Sequence, residues 1–407
     1  MTLIECFDRC VADNIIGCVH IRPNKVIFLG EAELLQTSIR RYEEFFAACG
    51  LTVDVQQRAV EMDKISCIAA ALTDIVEQEE TCVIDVTGGD ERLLVAVGMV
   101  MAELKPEQRQ RISVQKFDST TGVVQDCDED GQYRLGHPVR VTVENLVKLY
   151  GGIVHPKSFQ PGNTALPRDL EPLWKIATRY DKDWNQMVAA LELFESRADS
   201  RNQVFLYLPS IRGGIPNFEE NRELVMDLLN QFEKYGIIIN ESRGDILEYR
   251  YATPLYRYCT LKVGNLLEVK TLLEARAMTR DGRDFFQDCQ MGVHIDWDGV
   301  VYDIPQRVPE TRNEIDVLLT RGVTPLFISC KNGDVDEDEL FKLHTVATRF
   351  GGENAKKMLV ATHLQKKNHI STQAFIQRAK DMDIHLVTNA GRLTAKEWQE
   401  ALAKPFL

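Results

Sequence analysis

The chain is 407 residues long, with 61 acidic and 48 basic side chains and a formal net charge of -13. Its 44% hydrophobic and 27% charged residues are ordinary globular proportions, which excludes a disordered or collagen-like chain, and the length predicts two or three domains. No apolar run reaches the roughly 20 residues that span a bilayer, the opening MTLIECFDRC lacks the basic-then-apolar layout of a signal peptide, and ten scattered cysteines read as reduced thiols, so a cytoplasmic protein with no membrane partner is expected.

In chain order, residues 3–7 read as a buried strand, 12–21 as a helix, 25–29 (KVIFL) as a strand and 31–49 as a helix. Residues 52–60 alternate apolar and polar, 63–79 return to helical spacing, 82–86 (CVIDV) are β-rich, 91–104 are helical and 112–117 form a further strand. Strands alternating with helices predict βαβ units and a doubly wound, mostly parallel α/β sheet. Ligands of such sheets sit outside the carboxyl ends of the strands. Two strand ends therefore stand out: Asp8-Arg9-Cys10, and Thr87-Gly88-Gly89-Asp90 running into a helix that carries Arg92. Glycines at a strand-to-helix turn let backbone N–H groups approach a phosphate, and Thr87 adds a hydroxyl. The same glycines also suit a tight turn, and Asp90 also fits a helix N-cap. The GxGxxG fingerprint of a dinucleotide site is absent, which counts against an oxidoreductase.

Residues 126–131 form an acidic turn, and 146–161, with Gly151-Gly152 and two prolines, form a loop-rich candidate boundary. Residues 170–195 read as an amphipathic helical region with Trp174 and Trp184 in the core, 221–235 as a helix, and 237–251 as a hairpin around Ser242-Arg243-Gly244-Asp245. A helix followed by a hairpin is winged-helix-like. Lacking a basic recognition helix, it is read as a spacer.

The last third carries the chemistry. Residues 264–278 are helical and include Glu268. Residues 293–297 and 313–319 read as consecutive strands, and a period of two puts Glu314 and Asp316 on one side of the second. Residues 324–330 (TPLFISC) lead into Lys331, 338–350 are helical, and 357–361 and 384–388 are further strands. Carboxylates converging on a strand edge suit oxygen-seeking Mg²⁺ or Mn²⁺, and a lysine beside them suits a phosphodiester. Residues 355–380 hold six basic side chains, among them Lys356, Lys357, Lys366 and Lys367, and no acidic one, a candidate phosphate-backbone surface.

The order Gly264-Asn265-Leu266-Leu267-Glu268, Asn313-Glu314-Ile315-Asp316, then Ile328-Ser329-Cys330-Lys331-Asn332-Gly333 resembles the PD-(D/E)xK nucleases. It resembles in particular the branch fused to a CARF domain in type III CRISPR ancillary nucleases, whose sensor half is similar to the opening βα pattern with Thr87-Gly88-Gly89. The resemblance implies a Rossmann-like CARF domain over residues 1–150, a winged-helix-like connector over 151–260 and a restriction-endonuclease-like domain over 261–407. It implies a homodimer that binds a cyclic oligoadenylate, the tetra-adenylate ring above all, through Asp8, Arg9, Cys10, Thr87, Gly88, Gly89, Asp90 and Arg92. Binding would activate metal-dependent cleavage of DNA or RNA. Carried onto this chain, Glu268 is the helix carboxylate, Asp316 the central metal ligand, Lys331 the catalytic lysine, and the Cys330 carbonyl a member of the metal shell. The pattern's acid two residues before the lysine is Ser329 here, with Glu314 and Glu339 as the alternatives that replace it. A non-catalytic, nucleotide-responsive nucleic-acid-binding regulator is the competing expectation.

Overall fold

The computed structural model describes residues 1–118, 123–127, 133–135, 140–155, 160–162, 164–198, 203–297, 312–333, 335–364 and 369–407. Among them no helix is long and apolar enough to cross a membrane. The chain is α/β and doubly wound, as its alternating pattern predicts.

The first lobe runs β1 (Thr2–Cys6), α1 (Asp13–Ile21), β2 (Lys25–Gly30), α2 (Ala32–Ala48), β3 (Asp54–Ala59), α3 (Ile65–Gln78), β4 (Cys82–Asp85), α4 (Glu91–Glu103), the single turn α5 (Pro106–Arg109), β5 (Ile112–Asp118), β6 (Val123–Asp126) and β7 (Tyr133–Leu135). The strands order β3-β2-β1-β4-β5-β6-β7, with β1 to β5 parallel and β6 and β7 antiparallel. β1 and most of β2 are buried because helices cover both faces of the sheet, which is why they read as continuous apolar runs. β3 is the edge strand and is largely exposed, which is why its sequence alternates.

A crossing segment follows: α6 (Val143–Leu149), β8 (Ile153–His155), α7 (Pro167–Tyr180), α8 (Asp183–Glu195), β9 (Gln203–Tyr207), the turn α9 (Leu208–Ile211), α10 (Phe218–Lys234), β10 (Ile238–Asn240), β11 (Ile246–Tyr251) and α11 (Pro254–Leu261). The helical region expected over 170–195 is two helices, broken where Asp181 takes a left-handed φ of 49°. Trp174 and Trp184 are buried as expected. The expected hairpin exists, but β9 joins it to give a three-stranded antiparallel sheet β10-β11-β9. Residues 203–207 (QVFLY) are apolar and aromatic enough for a strand, but nothing local says that they pair with the hairpin.

The second lobe comprises α12 (Asn265–Arg276), the short hairpin β12 (Thr279–Arg280) and β13 (Arg283–Asp284), then β14 (Asp288–Asp296), β15 (Arg312–Arg321), β16 (Thr324–Lys331), α13 (Glu337–Gly351), β17 (Lys356–Ala361), α14 (His369–Asp381), β18 (Ile384–Val387) and α15 (Ala395–Ala403). Its sheet orders β18-β17-β16-β15-β14-β8. β8 thus comes from the loop-rich stretch and pairs antiparallel with β14. β16, β17 and β18 are parallel, while β14 and β15 are antiparallel hairpin partners.

Period two splits β16 between two cores. Leu326, Ile328 and Cys330 pack with Leu266, Leu272 and the tryptophans on the α12 side. Phe327 packs with Leu340, Leu343 and Phe350 on the α13 side. That second core continues without a break through Leu146 and Tyr150 to Tyr42, Phe28 and Phe7 of the first lobe. The two lobes therefore share one apolar interior, and α13 lies in it.

Candidate functional sites

The loop after β1 and the turn after β4 lie side by side because their strands are parallel neighbours. Asp8 ties them together. Its carboxylate accepts from the Cys10 N–H at 2.6 Å and from the Gly89 N–H at 2.8 Å. Asn14 fixes Asp8 in turn, accepting its N–H at 2.9 Å and donating to its carbonyl at 2.8 Å. Gly89 has φ 101°, and a Cβ there would lie 2.7 Å from that of Cys6, so the position admits only glycine. Asp90 caps α4, accepting from the Arg92 N–H at 3.0 Å and from its guanidinium at 2.7 and 2.8 Å. Those bonds pull the Asp90 carboxyl down to about 2.

A cavity of about 620 Å³ opens over this corner, lined by Asp8, Arg9, Cys10, Gly89, Asp90 and Arg92. Six of the eight residues expected to hold the ligand thus face one space. Thr87 and Gly88 do not line it. The Thr87 hydroxyl accepts from the Phe117 N–H at 2.7 Å and so ties β4 to β5. The far wall is Tyr150, Thr348, Gly352 and Glu353. No sequence signal marks those four, since they come from the crossing segment and from the end of α13. The Gly89 N–H, which a phosphate would use, is held by Asp8, so among the described lining residues the cations at the mouth are the exposed Arg9 and Arg92, the latter bonded to Asp90.

The second site forms where β15 and β16 part. They pair from Arg321↔Thr324 up to Val317↔Ile328, and pairing stops at Asp316. On the other side β14 places Gly292, with φ 54°, between the pairs Met291↔Val317 and Val293↔Ile315, opposite Asp316. The Asp316 carboxylate fills the gap, accepting from the Cys330 N–H at 2.6 Å and the Ser329 hydroxyl at 3.2 Å. The Lys331 ammonium sits 3.5 Å from Asp316 and 3.1 Å from Glu339, and Glu339 also holds Lys342 at 2.9 Å.

Burial pushes the Asp316 carboxyl above its ordinary value, and Lys331, the Cys330 N–H and Ser329 offset only part of that. Burial alone would lower the Lys331 ammonium, but Asp316 and Glu339 outweigh it and hold it above its usual value. Burial works against the Glu339 carboxylate, yet its bonds to Lys342 and Lys331 hold it below the ordinary range.

Glu314, Asp316, Ser329, Lys331, Glu339 and Lys342 line a shallow cleft of about 70 Å³. Both alternatives for the missing acid are therefore present beside Asp316. Glu268 does not line this cleft. It stands on α12, against the opposite face of the sheet, where the Cys330 thiol donates to Thr271 at 3.6 Å. Cys330 lies between the two: burial first, then Asp316 and Glu268, push its thiol far above the usual range, which removes it as a nucleophile.

A divalent cation of the kind the resemblance implies needs several oxygens converging on one point. Here Asp316 is occupied by three donors, Glu339 is bonded to two lysines, Ser329 offers only a neutral hydroxyl, and Cys330 meets Asp316 through its N–H. Among the described residues no three His, Cys, Asp or Glu side chains are grouped to hold a metal ion. The cleft in this arrangement does not fit Mg²⁺ or Mn²⁺.

Lys356 and Lys357 open β17, paired with Leu326 and Phe327, whereas Lys331 pairs with Ala361 at the other end. They stand about five residues, roughly 16 Å, from the cleft along the strand. Lys357 is buried, and burial lowers its ammonium. Lys366 and Lys367 lie outside the described residues.

No known protein-family description matches the sequence. No curated protein matches it either. Among solved structures, protein VC1899 from Vibrio cholerae superposes with a TM-score of 0.72 at 17% identity, over 100% of this chain and 97% of that one. Can2 from Sulfobacillus thermosulfidooxidans, solved with cyclic tetra-adenylate, superposes with a TM-score of 0.63 at 15% identity, again over 100% of this chain and 97% of its own. At these identities the likeness is one of fold, and it runs the length of the chain: this protein shares its whole α/β architecture with VC1899 and Can2.

Proposed function

We propose that this protein is a cyclic-oligoadenylate-activated nuclease of type III CRISPR defence, with the tetra-adenylate ring as activator. Residues 1–150 sense, 151–260 connect and 261–407 cut. The observation that carries the reading is α13. Its first turn supplies Glu339 to the Asp316–Lys331 cleft, and its last turn supplies Thr348, with Gly352 and Glu353 just beyond, to the large cavity. One rigid helix of 15 residues, about 21 Å long, therefore touches both sites. Fold likeness to a protein solved with cyclic tetra-adenylate supports the choice of ligand.

Homodimerisation follows from a two-fold symmetric ring that faces the glycine-turn corner of each of two chains. α4, which starts at the glycine turn, exposes Leu94, Val95 and Met99, an apolar face suited to a second copy. In the cleft, Lys331 stays protonated and is placed to neutralise a scissile phosphate. Asp316 is the buried carboxylate that orients the lysine and accepts a proton from water. The Lys331–Glu339 ion pair holds the lysine in the unliganded arrangement, and a shift of α13 on ligand entry releases it.

The test is cleavage of supercoiled plasmid, single-stranded DNA and RNA, with and without cyclic tetra-adenylate, in Mg²⁺, in Mn²⁺ and in chelator. Activator-dependent cutting is expected. Asp316→Asn is expected to lose about 10²-fold or more of it while keeping activator binding. Wild-type cutting by that variant would remove the proposed site. One observation favours a second reading: Ser329 replaces the expected acid and the cleft does not fit a metal. A non-catalytic regulator would bind nucleic acid in response to the same ring and leave it intact under every condition.

A further inference from the structure

The large cavity at the carboxyl edge of the first sheet carries more acid than an anionic ligand calls for. Among the described residues its lining holds four carboxylates, those of Asp8, Glu31, Asp90 and Glu353, against the two guanidiniums of Arg9 and Arg92. Asp8 is engaged with the Cys10 and Gly89 N–H groups, and Asp90 with Arg92. Glu31 is not engaged. It is exposed, and its carboxylate makes no hydrogen bond or ion pair among the described residues.

The end of β2 carries Glu31 to this place. β1 and β2 are parallel neighbours in register from Thr2↔Lys25 to Cys6↔Leu29, and the Phe7 N–H continues the ladder to the Leu29 carbonyl at 2.9 Å. A Cβ on Gly30 would lie 2.9 Å from that of Phe7, so this glycine lets the end of β2 close on the start of the β1 loop. Glu31 then opens α2 in extended backbone, with φ -68° and ψ 134°, and its side chain does not cap that helix. The strand order β2-β1-β4 therefore flanks the β1 loop with Glu31 on one side and the glycine turn on the other. In doubly wound sheets that bind a nucleotide at the β1 loop, an acidic residue about 20 positions further on accepts from a ribose hydroxyl. Glu31 holds that position relative to Asp8-Arg9-Cys10.

We infer that Glu31 accepts from a ribose 2′-hydroxyl of the bound ring and makes the cavity selective for ribose over deoxyribose; this rests on the cyclic-oligoadenylate reading above. An ionised carboxylate is an acceptor only, so it repels phosphate and needs a donor. The donors of an oligoadenylate ring are its 2′-hydroxyls and its adenine amino groups. In a 3′,5′-linked ring the 2′-hydroxyl is on the carbon next to one that bears the phosphodiester, whereas the amino group is at the far edge of the base. Phosphates drawn to Arg9, two residues beyond Phe7, therefore bring hydroxyls and not amino groups to Glu31. A site built to bond a hydroxyl rejects the analogue that lacks it, because the acceptor is then left without a partner.

The test measures, by calorimetry on the full chain, the binding of cyclic tetra-adenylate, of its all-2′-deoxy counterpart and of cyclic tetra-inosinate, which lacks the amino group. The wild type is expected to prefer the ribose ring to the deoxy ring by about 10-fold or more. Glu31→Ala is expected to weaken the ribose ring and leave the deoxy ring no weaker, so that the preference largely disappears. Glu31→Gln keeps an acceptor oxygen and is expected to retain part of it. The side chain is exposed, so both variants are expected to melt at the wild-type temperature. An equal change for both rings in Glu31→Ala would overturn the hydroxyl contact, as would a loss confined to the preference for adenine over inosine. Ring binding that keeps its full ribose preference in Glu31→Ala would sink this assignment alone, whereas failure of the wild type to bind any ring would sink the sensor reading and the assignment together.

Discussion

Asp316, Lys331 and Glu339 show how much a single side chain's surroundings decide. Asp316 is raised by burial, so ligand-activated cleavage is expected to fall in acid with a midpoint above the ordinary aspartate value of 3.8. A rate profile from pH 4 to 9 checks this, and a midpoint at or below that value would assign the limb elsewhere. Glu5 carries the same physics into stability. It lies on β1, fully buried, and its carboxyl is raised first by burial and then by Asp85. A carboxyl whose folded value is raised stabilises the fold below its unfolded value and loses that contribution as pH rises through the folded value. Glu5→Gln is therefore expected to be more stable than wild type at pH 8, with the advantage shrinking toward pH 5, as urea melts at the two pH values would show. The identities of Asp316 and Lys331, and their spacing, were legible in the sequence. Glu339 was legible only as one of two alternatives, and that Glu268 would stand outside the cleft was not legible at all, because facing depends on which side of the sheet each helix packs.

α13 is the element on which the proposed coupling depends, and its carboxyl end is tightly built. The Tyr150 hydroxyl donates to the Gly351 carbonyl at 3.0 Å, and Arg349 donates to the Tyr150 carbonyl at 2.9 Å. Tyr150→Phe removes the first of these bonds and is expected to cost about 1 kcal/mol. It is also expected to change the activator concentration needed for half-maximal cutting, without lowering the saturated rate. An unchanged activation midpoint would disconnect this end of the helix from the cleft. A Cβ on Gly351 would lie 2.7 Å from both Ala355 and Pro325, so Gly351→Ala is expected to destabilise by about 1–3 kcal/mol in chemical denaturation. The helix itself was plain in the sequence from its apolar spacing and closing glycines. Its carboxyl-end contact was not, since Tyr150 is remote in the chain.

For the whole molecule, the continuous core through Phe7, Tyr42, Tyr150 and Phe350 joins the two lobes. Rearrangement at one cavity cannot leave the other lobe's packing untouched, because close-packed interiors transmit displacement. Assembly is the remaining variable. Replacing both Leu94 and Met99 by glutamate is expected to give a monomer in sedimentation and to abolish activation while leaving thermal stability near wild type. A dimer that survives the double change would move the interface off α4.

Alternation of strands and helices, the glycine turn at 88–89 and the acid-and-lysine order at 316 and 331 were determined by sequence alone, because each is written in local periodicity or in a short spacing. Only the tertiary structure decided that residues 153–155 enter the second sheet, that Thr87 turns inward, and that Lys357 is buried. Those outcomes depend on which surfaces meet, and that is set by the burial of faces drawn from distant parts of the chain, a quantity no local pattern contains.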